Sequence, residues 1–257
     1  MTAREKVEWG GLSLAALAAL WEAPLVEAYD RIGSTSERAL ELARAGALPG
    51  TVVVANQQTA GRGRRGATWE SPARSGLWMS VLLSRRHYSI HLPLLVGLAC
   101  AEGIEAYVPR VHVDIKWPND LLVGRLKLGG VLCESEGESV VVGIGINVRT
   151  PLGGFSDALA GVAISLEMVN GKDLSRRKLG AHILDRLRQV LRREAPFRAA
   201  FAELERRDAL AGHRVRTEHQ GVGLAVGIDP SGALVLERRD GTRVQVTSGS
   251  VSFETPG

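Results

Sequence analysis

Three arginines and three glycines fall within six residues at Gly61-Arg62-Gly63-Arg64-Arg65-Gly66. Guanidinium groups are planar forks that pair with carboxylate or phosphate through parallel hydrogen bonds. Glycine lets the backbone adopt positive φ and approach a ligand closely. The stretch therefore reads as a loop built for an anion. Like charges this close repel one another, so the loop is expected to order when the anion arrives. The literal GxGxxG match is not a dinucleotide fingerprint, which needs a helix opening on the glycines and an acidic residue about 20 positions later. Here Ala67-Thr68-Trp69-Glu70-Ser71-Pro72 follows and ends at a proline, and an apolar run near Leu82 occupies the acidic position. No GxxxxGK[ST] occurs, which excludes a P-loop.

Two further clusters carry polar groups at fixed spacing. One is Lys116-Trp117-Pro118-Asn119-Asp120, followed by Lys127-Leu128-Gly129-Gly130; the other is Gly143-Ile144-Gly145-Ile146-Asn147. Singly, each has a plain structural reading: a Trp-Pro pair can cap a strand, and alternating glycines can admit a packed neighbour. Ser34-Thr35-Ser36-Glu37 matches a capping box, with Ser34 placed to cap a following helix.

The elements that must position these groups follow from periodicity. Strands are expected at Thr51–Ala55, Leu77–Leu83, Val111–Lys116, Lys127–Glu134 and Ser139–Asn147, the last two joined across Glu136-Gly137-Glu138. Such close succession implies antiparallel pairing and a mixed sheet rather than a doubly wound one. Helices are expected at Glu37–Arg44, Leu92–Tyr107, Val162–Val169, Ser175–Arg193 and Pro196–Arg207. From Gly212 onward the texture changes to short alternating runs with turn signals at Asp229-Pro230-Ser231-Gly232 and Asp240-Gly241, as in a small SH3-like β-barrel. The expected division is residues 1–211 and 212–257.

Composition narrows the function classes. With 257 residues, 45% hydrophobic and 23% charged, the chain is that of a globular protein with an ample core. Its net charge of +4 is spread along the sequence rather than gathered into a basic arm, so nucleic-acid binding is not indicated. Cys100 and Cys133 lie in apolar stretches, and neither they nor the six histidines have a zinc-site spacing. No apolar run reaches the roughly 18 residues of a membrane span. Leu12–Leu20, preceded by Arg4 and Lys6, has the outline of a secretory leader, but Glu5 and Glu8 spoil its basic end. A short helix leading into a cytoplasmic enzyme is the expectation.

In their order, GRGRRG followed by a tryptophan, KWPND, a lysine before LGG, and GIGIN resemble the catalytic domain of biotin–protein ligases, and the β-rich tail resembles that family's C-terminal barrel. The resemblance implies an α+β fold with a class II synthetase-like mixed sheet. It implies condensation of biotin with ATP to biotinyl-5′-adenylate, assisted by Mg2+, and transfer to a lysine of a biotin carboxyl carrier protein. Catalysis would fall to Lys127, Arg64 and Asp120, with Asp120 also a carboxylate for magnesium. Biotin would be held by Ser34, Thr35, Ser36, Gln58, Gly61, Arg62, Gly63, Lys127, Gly130 and Gly143. The nucleotide would be held by Arg62, Gly63, Arg64, Trp69, Asn119, Lys127 and Asn147. A homodimer is compatible with the resemblance. Ala67 departs from the basic residue common at this place in the family, and Ser36 stands where many relatives carry asparagine.

Three other functions fit parts of this pattern. A biotin-sensing repressor needs a helix-turn-helix module, and only about 30 residues precede Ser34, so no DNA partner is expected. A lipoate–protein ligase shares the fold and chemistry, but its glycine-run signature after paired arginines is missing. A protein that only binds biotin would have little use for both Lys127 and Arg64.

Overall fold

The computed structural model describes residues 8–149, 154–171 and 173–254. Arg4, Glu5 and Lys6 lie outside them. Strands β1 (Glu8–Trp9) and β2 (Leu12–Ser13) form a small hairpin that leads into helix α1 (Leu14–Trp21). Ser13 caps this helix, and its Leu17 and Trp21 are wholly buried. Trp9 meets the Trp21 ring edge-on at 5.7 Å. The leader-like stretch thus forms a short helix, anchored in the core through Leu17.

The main sheet is built from β3 (Val26–Ile32), β4 (Val52–Gln58), β5 (Gly76–Ser84), β6 (Asp114–Lys116), β7 (Asp120–Val123), β8 (Leu126–Glu136) and β9 (Ser139–Asn147). Their spatial order is β3-β4-β5-β9-β8-β7-β6. Only β3 and β4 run parallel in this sheet; every other neighbour is antiparallel, the mixed arrangement expected. Helix α2 (Thr35–Arg44) covers part of one face, with Ala39 and Leu42 against Val53, Ala55, Leu82 and Val141. Helices α1, α3 (Leu92–Tyr107) and α5 (Arg176–Arg192) share the larger core on the opposite face with Val52, Val54, Val142 and Ile144. Burial on both faces explains why β4 reads as a continuous apolar run rather than an alternating one.

Two expectations need correction, and strands β3 and β7 of the main sheet were not among those expected. The helix expected at Val162–Val169 is the short α4 (Leu166–Asn170), capped by Ser165. The residues before it instead bond to Lys127, whose N–H donates to the Val162 carbonyl at 2.8 Å. The strand expected from Val111 begins at Asp114. Strand β3 was not anticipated, because Glu27, Asp30 and Arg31 interrupt its apolar pattern. Its buried Glu27 is satisfied by Arg38 at 2.7 Å and by the Tyr29 hydroxyl at 2.7 Å.

After α6 (Pro196–Arg206) come β10 (Arg214–Thr217), β11 (Gly221–Ile228), β12 (Leu234–Glu237), β13 (Arg243–Val246) and β14 (Val251–Phe253). They form an antiparallel SH3-like sheet in the order β13-β12-β11-β10-β14. The Asp229–Gly232 turn docks on the main body. His91 stacks on Phe197 at 3.8 Å and bonds the Ser231 carbonyl at 2.7 Å. The Trp117 indole donates to the Gly232 carbonyl at 3.0 Å. Gly232 has φ 82°, and a Cβ there would lie 2.5 Å from the His91 ring, so glycine is required twice over.

Asp208 lies between the two sheets. Its Oδ1 accepts the Leu210 N–H at 2.9 Å, while Oδ2 is buried without a partner. Burial pushes its pKa up to about 6; the nearby Asp114 adds to this, and backbone N–H groups and His213 oppose it. The folded chain thus keeps a proton that the unfolded chain releases near pH 4. Stability should fall as pH rises from about 4 to 6 and then level off. Asp208→Asn should lack this step, which amounts to at most about 3 kcal/mol. Urea unfolding of both proteins across pH 4–8 measures it; parallel curves would refute the assignment.

Candidate active site

The arginine loop is a tight hairpin. Gly63 N–H donates to the Ala67 carbonyl at 2.7 Å, and Trp69 N–H donates to Gly61 at 2.9 Å. Its tip is a 3-10 turn, Arg64–Gly66, with Arg65 at φ 59°, so no helix opens on the glycines. The three guanidinium groups diverge. Arg62 pairs with Glu134 at 2.6 Å, Arg64 donates to Asn119 Oδ1 at 3.2 Å, and Arg65 pairs with Glu218 of the C-terminal sheet. Mutual repulsion, the reason to expect order only on binding, is therefore offset by separate partners. Arg64 is half-buried, and desolvation draws its pKa below the usual arginine range.

The α2 face of the sheet is open beyond that helix, and two adjoining cavities lie there, of about 240 and 310 Å³. Thr35, Ser36, Gln58, Arg62, Gly63, Arg64, Asn119, Gly130 and Gly143 line the first. Asn147 lines the second, with Leu159, Val162, Ala163, Arg125 and Phe253. Thr68, Trp69, Lys116, Asp120 and Lys127 line both and form the partition. Two of the expected residues line neither. Ser34 is buried at the α2 N-terminus, where its hydroxyl accepts the Glu37 N–H. Gly61 lies beneath the loop, where a Cβ would come within 2.3 Å of the Trp69 carbonyl oxygen.

At the partition, Lys127 Nζ is 2.7 Å from Asp120 Oδ1 and Lys116 Nζ is 3.7 Å from Asp120 Oδ2. Burial draws the Lys116 pKa down, and the Lys127 charge adds to this while Asp120 opposes it. The strand register sets this grouping: Lys116 pairs with Asp120 across β6–β7, and Asp120 pairs with Gly130 across β7–β8. Three cations, Lys116, Lys127 and Arg64, thus share a partly buried site with one carboxylate. Such a site suits two anions that must be brought together.

The glycine-rich strand ends make room for ligand-facing side chains. A Cβ on Gly145 would lie 2.7 Å from Trp69 Nε1, and one on Gly143 would lie 2.7 Å from Ser36 Oγ. Both readings of GIGIN hold: small residues admit packed neighbours, and those neighbours line the cavities. The Lys127 ammonium lies 5.2 Å from the Trp69 ring centre, and the buried indole N–H has no partner. Asn147 donates to the Ile164 carbonyl at 3.2 Å, tying β9 to the wall of the second cavity. Asn119 donates to Val131 O at 2.9 Å.

Lys116 stands in the motif, yet nothing in the sequence marks it out individually. Ser80, beneath Thr35 and Ser36, has as its one sequence signal a lone hydroxyl within the apolar run Leu77–Leu83. Gly249, Ser250 and Val251, which the C-terminal sheet brings to the first cavity, carry no local signature.

Fold and site define an adenylate-forming ligase of the biotin and lipoate type. The profile of the Biotin/lipoate A/B protein ligase family matches residues 29–150, and that of the Biotin protein ligase C terminal domain matches residues 214–254. The biotin--[acetyl-CoA-carboxylase] ligase of Mycobacterium tuberculosis is 34% identical over 232 residues, covering 85% of each chain. The bifunctional ligase/repressor BirA of Bacillus spizizenii is 37% identical over 227 residues, covering 83% of this chain and 70% of that one. The biotin protein ligase from Aquifex aeolicus, solved in complex with biotin and ATP, superposes with a TM-score of 0.81 at 30% identity, covering 90% of this chain and 99% of that one. The chain belongs to the biotin protein ligase family.

Gly145→Ala should displace Trp69, since a Cβ would sit 2.7 Å from its indole nitrogen. The expected cost is about 1–3 kcal/mol of stability, together with weaker nucleotide binding. Thermal unfolding and ATP titration check this; unchanged ATP affinity would refute a contact between Trp69 and the nucleotide.

Proposed function

We propose that this protein joins biotin to ATP, forming biotinyl-5′-adenylate and pyrophosphate, and then passes the biotinyl group to a lysine of a biotin carboxyl carrier protein. The observation that carries the reading is the cationic partition between two cavities, one with a polar hydroxyl floor and one beside an aromatic ring. Biotin is assigned to the first and the nucleotide to the second. The carboxylate oxygen of biotin attacks the α-phosphorus, and the bond to the β-phosphate oxygen breaks. Lys127, Lys116 and Arg64 offset the repulsion between the two anions and the charge that builds during transfer. In the second step the carrier amine attacks the acyl carbon, AMP leaves, and the amine loses its proton.

Within this reading, Thr35, Ser36, Gln58 and Gly143 hold the ureido ring, with Gly130 beside it. Arg62 and Gly63 form the wall nearest the reacting groups. Trp69 and Asn147 contact the nucleotide, and Asn119 steadies Arg64. Ser34 and Gly61 support the site from beneath. Residues 212–257 are assigned to a small domain that completes the first cavity.

Magnesium does not fit Asp120 as a ligand held by the protein. Both carboxylate oxygens face lysine ammonium groups, and the described residues contain no cluster of three metal-ligating side chains. Asp120 is assigned to orienting the two lysines, and any Mg2+ to the phosphate oxygens of ATP. The polar floor of the first cavity favours biotin over lipoate, whose dithiolane ring has no hydrogen-bonding N–H.

Mass spectrometry of a carboxyl-carrier domain mixed with the protein, MgATP and either biotin or lipoate tests the reading; gain of a lipoyl mass alone would overturn it. Lys127→Ala and Arg64→Ala should each lower biotin-dependent ATP–pyrophosphate exchange by about 100-fold or more with little change in unfolding midpoint. Near-normal exchange in both would sink the assigned roles.

A further inference from the structure

Ser80 stands in the middle of β5 with no exposed surface, opposite Gly143 on β9. Its hydroxyl lies 2.8 Å from Thr35 Oγ1 and 3.1 Å from Ser36 Oγ. The proton directions around it follow from one backbone group. Thr35 N–H can only donate, and it donates to Gln58 Oε1 at 2.8 Å, which fixes the orientation of the amide. Gln58 Nε2 then faces Ser71 Oγ at 2.8 Å, and Ser71 donates onward to the Trp69 carbonyl at 3.3 Å. The Thr35 hydroxyl also donates to Gln58 Oε1, at 3.0 Å. With its proton spent, Thr35 accepts from Ser80, and Ser80 in turn accepts from Ser36. The chain runs in one direction: Ser36 to Ser80 to Thr35 to Gln58 to Ser71 to the Trp69 carbonyl.

This polarity decides what faces the cavity. Ser36 keeps two lone pairs and Thr35 keeps one, but neither has a proton left to give. Gln58 Nε2 keeps one N–H. A ligand with N–H donors beside a carbonyl oxygen complements that array, and one without them leaves buried lone pairs unmatched.

We propose that Ser80 is a positioning residue that carries the proton direction fixed at the Thr35 N–H on to Ser36, so that the floor of the first cavity presents acceptors and selects a cyclic urea over a dithiolane. The inference rests on the assignment of that cavity to biotin. Without Ser80, Ser36 is free to turn its proton toward the ligand's own N–H.

The test measures KM for biotin, desthiobiotin and ATP, with kcat, for the full chain, Ser80→Ala and Ser80→Cys, using a carboxyl-carrier domain as acceptor. Desthiobiotin keeps the urea and lacks the sulfur ring. Ser80→Ala should raise KM for both urea ligands by about tenfold, with kcat and the KM for ATP within about twofold. Ser80→Cys conserves volume with a weaker hydrogen-bonding group and should raise both by about threefold. A folded Ser80→Ala enzyme with unchanged biotin KM overturns the proposal, as does an equal rise in the KM for ATP. Should the alanine variant fail to fold, an unchanged biotin KM in Ser80→Cys overturns it. No biotin transfer by the wild-type chain would refute the functional reading itself; normal transfer with indifferent variants would refute only the role of Ser80.

Discussion

Asp120 holds one lysine on each carboxylate oxygen, and the site is organised around that shared charge. A place where two anions are to meet must keep cations close together before either anion arrives. In a half-buried setting, ammonium groups without a counter-charge repel strongly, and burial shows in the lowered pKa of Lys116. A carboxylate for every cation would neutralise the site and defeat its purpose. One carboxylate for two lysines leaves a surplus of positive charge while keeping both ammonium groups in place. Arg64 is steadied by a neutral amide, Asn119, which spends no negative charge.

This arrangement depends on strand register. Lys116, Asp120 and Gly130 lie side by side across β6, β7 and β8 because the hairpin ladders place them so, and a shift of one residue would send Asp120 to the opposite face. The same ladder logic runs through β9, where Gly143 and Gly145 face the open side while Val142, Ile144 and Ile146 face the core. The core packing that stabilises the sheet and the clearances that admit Ser36 and Trp69 are therefore two sides of one strand.

What could be read from the sequence divides along physical lines. Motifs local in sequence, such as Gly61–Gly66, Lys116–Asp120 and Gly143–Asn147, named most of the residues that the fold assembles, because loop chemistry and spacing are local properties. Amphipathic helices were legible from periodicity, as α5 shows with Leu179, Ile183, Leu187, Val190 and Leu191 buried at the expected spacing, and α3 from the length of its apolar run, with bounds matching the expected Leu92–Tyr107. Strand β3 was hidden because its buried Glu27 reads as polar until Arg38 is seen beside it. Ser80 was hidden because a hydroxyl in an apolar strand has meaning only once β5 is paired with β9. The loop at Val162–Ile164 read as helix because its bonds go to Lys127, far away in the chain, and no local pattern marks such a partner.

The C-terminal sheet has a part in this site that its small size conceals. Besides Gly249, Ser250, Val251 and Phe253, which line the cavities, it holds the site by two polar contacts: Glu218 takes Arg65 from the arginine hairpin, and the Gly232 carbonyl takes the indole N–H of Trp117. Trp117 belongs to the segment that carries Lys116, Asn119 and Asp120, so the docked turn braces that segment. An acyl adenylate is destroyed by water yet must be opened to a carrier amine. A wall that closes through a few polar contacts can exclude the first and still yield to the second, whereas a continuous apolar seam would resist both. The Arg65–Glu218 contact is of the separable kind, whereas Val215, Ala225, Leu236 and Val251 of the C-terminal sheet belong to one apolar core with the main body, so the sheet itself stays anchored.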